Sequence, residues 1–297
     1  MAADGATLAG QVLAVTLPVF GIAAVGFLYG RLNGADMDSA NRVNMNLFVP
    51  ALLFYVLTEK IAAPAAWGLV GGGTVAVVVG SGLLVWPLTR LLGEPPRVVL
   101  PSVMFNNSGN LGLPLALLAF GQEVLPLVVV TFVVSTALHF TLGIWLVSGR
   151  LHPALLLRNP VFLATAAGLA CSLTGLHLPA ILLPGLEMLS QVAIPLMLVA
   201  LGVRLTAVSL AHWRVGLAVA LLRPAAGLLC GWLAVQLLGL TGEAARVLLL
   251  FSALPPAVMN FLLAERYATA PAEVASMVAL GNLASLLVIP AVLAFLL

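Results

Sequence analysis

Three asparagines and a serine, Asn106, Asn107, Ser108 and Asn110, stand together inside FNNSGNLGLPLALLAFG, a stretch otherwise apolar enough to lie in a membrane. Carboxamides supply donors and acceptors without carrying charge. Gly109, Gly112 and Pro114 lie among them, and glycine permits unusual backbone while proline removes a donor, so this stretch is predicted to unwind. A second stretch, FSALPPAVMNFLLAERY, repeats the pattern with Pro255 and Pro256 followed by Asn260. Irregular backbone at membrane depth is tolerated only where protein or a water-filled cavity receives it. Two interrupted helices would place two half-helix N-termini opposite one another, each equivalent to about half a positive charge. The chemistry this suits is binding of an anion such as a carboxylate. The competing reading is that the asparagines hydrogen-bond neighbouring helices together.

Other polar residues fall within apolar stretches. Arg223 lies before Pro224, where it could hold an anion's charge, pair with a carbonyl terminus, or snorkel to the interface. His139 could relay a proton or serve as a hydrogen-bonded packing residue. Asn44, Asn46 and Gln191 flank Pro50 and Pro195 and could line the facing surface of the site, while Glu187 belongs at an outer interface. Catalysis is poorly served. The chain has no HExxH metal motif, no pair of intramembrane aspartates and no Asp-rich run for a magnesium–diphosphate site, and a Ser108–His139 dyad would be a chance pairing. Cys171 and Cys230 sit in apolar stretches as small core residues, and neither a metal nor another cofactor is implied.

The elements that must position these groups follow from composition. Residues are 62% apolar and only 7% charged, whereas a soluble domain carries about a quarter charged residues. A water-facing shell cannot be built from this chain. Net charge is +2 without a basic run, which gives nucleic acid nothing to bind. The N-terminus carries Asp4 and lacks the basic region of a cleaved leader, so the first apolar segment is expected to remain as a helix. Breaks at charged, proline and glycine clusters give ten spans, at 9–31, 41–58, 66–89, 98–120, 124–147, 159–176, 180–203, 213–239, 244–266 and 273–297. With both termini outside, nine arginines fall on the inner side and only Lys60 and Arg246 on the outer. The polar connection 148–160 divides the chain into halves, 1–150 and 151–297, of five spans each. An odd number per half inverts the second relative to the first. Pro50 and Pro195 then recur 145 residues apart, and Pro114 and Pro255 follow them by 64 and 60 residues. Matched interruptions in inverted halves point to a transporter's midplane site, where a channel would show charge rings or carbonyl filters.

At these residues the chain resembles the auxin efflux carrier family over nearly its full length. The matches are PVFGIAAVGFLYGR at 18–31, NLFVPALLF at 46–54, NNSGNLGLPL at 106–115, RPAAGLL at 223–229 and LPPAVMNFLLAERY at 254–267. The resemblance implies an all-α membrane protein, the ten-helix crossover architecture shared with bile-acid sodium symporters, with helices 4 and 9 broken. Helices 1, 2, 6 and 7 would form a scaffold, and helices 3–5 and 8–10 a mobile transport domain. It implies a homodimer in the inner membrane, surrounded by lipid, that exports an organic anion. Asn107, seven residues before Pro114, matches the position that family members use to contact a carboxylate. Bacterial relatives are associated with malate or malonate. The ninth-span break lacks the acidic residue of sodium-binding crossovers, and the long central loop of plant carriers is absent.

Overall fold

The structure, a computed structural model, describes residues 7–34, 37–59, 65–151, 154–176, 178–207 and 211–297. Asp4 and Lys60 lie outside the described residues. Among those described, every named element is helical. Six helical segments are long and apolar enough to cross a membrane by length and composition: Leu8–Asn33, Ala66–Arg90, Gln122–Ser148, Leu183–Arg204, Trp213–Leu238 and Pro271–Leu296.

The first segment is α1 (Leu8–Asn33), capped where the Thr7 hydroxyl accepts from the Gly10 N–H and ended by Gly34 in the left-handed region at φ 58°. α2 (Asp38–Val43) and α3 (Val49–Glu59) are joined by a π turn over Asn44–Phe48. α4 (Ala65–Val85) tightens into a 3₁₀ turn, Trp86–Arg90. α5 (Pro96–Met104) stops short, and the chain resumes through a π turn, Ser108–Gly112, into α6 (Leu113–Phe120). α7 (Leu125–Leu138) continues through a π turn at His139–Gly143 into α8 (Ile144–Ser148). The short α9 (Ala154–Arg158) precedes α10 (Pro160–Thr174), α11 (Leu183–Arg204) and α12 (Trp213–Leu238). α13 (Gly242–Ala253) and α14 (Val258–Arg266) are separated by extended residues, and α15 (Pro271–Leu296) closes the fold.

Polarity is arranged for lipid. Leu32, Leu237 and Phe295 are 81%, 83% and 91% exposed, whereas Asn44, Arg223 and Asn260 are buried. Cys171 and Cys230 are half-buried and unpaired. Helices pack in two groups. α1 lies on α11, and α3 on α10 and α11; α12 lies on α4, α13 and α15. In lipid, helix association rests on close van der Waals fit, which small residues permit. Gly202 shows this most directly, since a Cβ there would run into the Ala23 carbonyl oxygen and the Phe27 nitrogen of α1.

Not every proline of the repeated pattern lies at an interruption. α11 passes unbroken through Pro195, and Pro50 is the second residue of α3. Pro114 does not mark a break either: it is the second residue of α6, and the interruption lies upstream at Phe105–Asn107. The π turn explains this. Gly112 N–H donates to Asn107 O at 3.1 Å, and the wider turn leads into the proline within the helix's first turn of α geometry, where a missing donor is tolerated. Pro255 and Pro256, by contrast, lie within a true interruption between α13 and α14.

Gly202→Val should destabilise the purified protein by about 1–3 kcal/mol, through overpacking against α1. Gly72→Ala, where an added Cβ meets nothing within 4 Å, is the control. Thermal melting in detergent reads both, and equal midpoints would remove the claim of tight α1–α11 packing.

Candidate functional site

Each interruption leaves a short extended peptide, and the two cross antiparallel with Asn106 opposite Pro256. Asn107 N–H donates to Pro255 O at 2.8 Å, and Ala257 N–H donates to Phe105 O at 3.0 Å. The peptide groups freed by breaking both helices thus satisfy one another, as buried backbone must. Gly281 admits α15 to the crossing, because a Cβ there would collide with the Pro256 ring.

Side chains then sort by which end of the half-helices they serve. Asn106 Nδ2 donates to Phe251 O at 2.6 Å, and Arg223 Nη1 to Ser252 O at 3.0 Å, both at the C-terminal end of α13. Asn260 Nδ2 donates to Phe105 O at 3.1 Å, just past the end of α5. Three donors therefore meet carbonyls at the two C-terminal ends, where the helix dipole is negative. The N-terminal ends are treated differently. Ser108, Gly109 and Asn110 begin one helix and Val258 and Met259 the other, and all five line a cavity of about 90 Å³. The first N–H groups of a helix have no intrahelical acceptor, so both positive ends are directed at this one space.

Asn106, Asn107, Thr136 and His139 also line that cavity, with Met197 and Arg204 contributed by α11. The His139 ring stacks on Phe105, centroids 4.3 Å apart and planes within 4°. It lies beside Asn260, yet His139 Nε2, Asn260 Oδ1 and Asn106 Oδ1 are all buried without a hydrogen-bond partner. A second space of about 260 Å³ adjoins the first, sharing Arg204, Val258 and Leu262, and is bordered by Asp38 and Glu265. A third, of about 440 Å³, is largely apolar and lies against α1, with Asn282 and Ser285 on its wall.

Of the residues that the sequence singles out, Asn106, Asn107, Asn110 and His139 line the central cavity. Pro255, Pro256 and Asn260 build the crossing behind it, and Pro114 is buried within its helix. Arg223 is fully buried and capped onto Ser252 O, which settles its placement as a pairing with a carbonyl terminus and not an interfacial snorkel. Asn46 and Gln191 are exposed and do not reach the cavity. Helical spacing is the physical reason for the first: Asn44 faces inward, where its Nδ2 donates to Ala193 O at 3.1 Å, and Asn46, two residues on, points to the opposite side.

Asn282, which no sequence motif marks, joins the two crossing peptides. Asn107 Nδ2 donates to its Oδ1 at 3.2 Å, while its own Nδ2 donates to Pro256 O at 3.1 Å and Val278 O at 2.8 Å. Its signal in the sequence is a carboxamide near the middle of an otherwise apolar 26-residue helix. Such a group must find a partner inside the protein.

Comparison with known proteins bears on what this arrangement does. A family model described as "Membrane transport protein" matches residues 144–293. A protein of Rhizobium meliloti strain 1021 named "Putative malonate transporter" is 27% identical over 218 residues, covering 66% of this chain and 67% of its own.

Asn282→Leu should cost about 1–3 kcal/mol of stability, since it leaves the Pro256 carbonyl and the Asn107 amide buried without their partner. A thermal melt unchanged from the parent would show that Asn282 does not tie the crossing together.

Proposed function

Since the chain belongs to the membrane transport protein family of auxin efflux carriers, we propose that this transporter exports a small organic carboxylate anion by elevator-type alternating access. The observation that carries the reading is the convergence of two half-helix N-termini on one small cavity whose opposing carbonyl ends are already capped. An anion completes the unpaired N–H groups, as carboxylates and phosphates do at helix N-termini generally. The relative named for malonate supports a carboxylate as the guest.

In this reading ten spans form two inverted five-helix repeats, 1–150 and 151–297, with α5–α6 and α13–α14 as the broken crossover helices. Scaffold helices 1, 2, 6 and 7 correspond to α1, α2–α3, α10 and α11, and helices 3–5 and 8–10 form the moving body. The grouping of helix contacts supports the division, because the cavities lie where α11 meets the crossing. The protein works as a homodimer in the lipid of the inner membrane with both termini outside. The arginine-bearing ends of α1, α11 and α14 then face the inside, and so does the larger space beside Asp38 and Glu265.

A second reading, proton-coupled movement of the same anion, is favoured by His139. Its Nε2 and the neighbouring Asn260 Oδ1 are both buried without a partner, so a proton taken up by the imidazole would find an acceptor beside it. Sodium coupling has less to rest on, since no carboxylate lines the central cavity among the described residues.

Two measurements test these readings. Asn107→Ala should raise the half-saturating concentration for malonate uptake into inside-out vesicles by about tenfold or more, the worth of a hydrogen bond to a charged group; unaltered transport would remove the crossing from the mechanism. His139→Asn should abolish stimulation of transport by an imposed pH gradient, and an undiminished response would exclude His139 as the coupling group.

A further inference from the structure

Arg204 ends α11 and lines both the central cavity and the larger space beside it. Among the described residues it is the permanently charged side chain on the central cavity's wall. Its Nη2 stands 3.7 Å from Asp38 Oδ1, with the Arg204 side chain 19% exposed and that of Asp38 69% exposed. The cation is thus held partly inside, at the junction of the two spaces, by a carboxylate that is itself largely in solvent.

We propose that Arg204 is the specificity-determining residue of the carrier, binding the second carboxylate of a short dicarboxylate whose first carboxylate rests on the N-termini at Ser108 and Val258. The inference rests on the crossing being the anion site, and adds to it the charge and length of the guest. A cavity of about 90 Å³ has both positive features on its walls, so a chain of only a few carbons can span them. The guanidinium presents a planar fork that matches a carboxylate in two parallel hydrogen bonds. In the structure Asp38 stands beside one arm of that fork, at 3.7 Å. Its exposure makes the pairing weak and readily exchanged, because an ion pair in solvent gains little. A dicarboxylate displaces Asp38 and leaves no cation desolvated without a partner. A monocarboxylate cannot reach the fork and gains nothing from Arg204. Discrimination then comes from a group at the junction of the cavities and not from the crossing itself, which treats any carboxylate alike.

The test uses the full chain reconstituted in liposomes, with malonate and succinate against propionate as probes. The parent protein should prefer the dicarboxylates, and Arg204→Gln should lower the malonate-to-propionate ratio of kcat/KM by about tenfold or more. Arg204→Lys, which keeps charge but loses the fork, should fall between the two. Asp38→Asn, remote from the crossing and exposed, should lower KM for malonate by removing the competitor, and provides an independent measurement if Arg204→Gln does not fold. A parent without dicarboxylate preference, an Arg204→Gln ratio equal to the parent's, or a malonate KM unmoved by Asp38→Asn would each overturn the assignment of Arg204. These failures are distinguishable from failure of the crossing itself. If Asn107→Ala loses transport while the Arg204→Gln ratio stays put, only the Arg204 inference falls; if the parent moves neither class of acid, the crossing reading falls and takes the inference with it.

Discussion

Hydrocarbon offers no hydrogen bonds, so every peptide group at membrane depth must find its partner within the protein. That constraint decides how this chain can open a polar site in its middle. Breaking one helix would strand carbonyls and N–H groups at several kcal/mol each, on the order of the cost of burying an unpaired amide. Breaking two helices at the same place lets the loose ends serve each other. The Asn107–Pro255 and Ala257–Phe105 backbone bonds are that exchange, and they make each interruption conditional on the other. Asn282 joins the pair from a third helix by bridging Asn107 and Pro256 O. The crossing is therefore a property of several helices at once, which is why the residues around it, including Gly281 against Pro256, are so closely fitted.

The sequence announces some of this and conceals the rest for definable reasons. Pro255–Pro256 was legible because two consecutive prolines remove two donors and cannot be absorbed by a helix interior. Pro114 was legible only as a neighbour of the break, since a π turn absorbs it and the chain parts at Phe105–Asn107 instead. Asn106, Asn107 and Asn110 could be placed at the cavity because four small polar residues in an apolar span have few alternatives. Proximity to prolines, which is what Asn46 and Gln191 offer in sequence, does not say which side of a helix faces inward; Asn46, two residues from the inward Asn44, falls on the opposite side. Asn282 is not legible in sequence because an isolated carboxamide in a long apolar helix has no motif around it. The six long apolar helices could be read from composition, whereas the pairing of helices could not, because Gly202 against Ala23 is a fact of two distant segments.

Arg223 is conspicuous in sequence because an arginine in the hydrocarbon is costly, but a charged guest, a carbonyl terminus or the interface could each receive it there. The structure has it cap Ser252 O, one of the last carbonyls of α13, with Nε and Nη2 left buried and without partners. It shares this task with Asn106 and Asn260, whose amides meet Phe251 O and Phe105 O. A helix broken in the middle exposes one positive and one negative end, so two crossing breaks expose two of each, and their fields would largely cancel in the space between. Cancellation is prevented by chemistry applied to one sign only. The carbonyl ends are met by a guanidinium and two carboxamide donors within the protein, while the N–H ends at Ser108 and Val258 are left to face the cavity. What remains is a small cavity with both helix N-termini on its wall and no lysine or arginine at its centre, which in the proposed function favours an anion. Such a bias can be carried by a moving body without the solvation penalty that a free cation would incur at each crossing of the bilayer. In the proposed transporter the affinity for the anion thus comes from dipoles fixed by backbone, and the guanidinium of Arg204 stands on α11 at the edge. A site divided in this way would separate holding the guest from choosing it, since the dipoles belong to the crossing and the charge belongs to α11, the helix packed beside it.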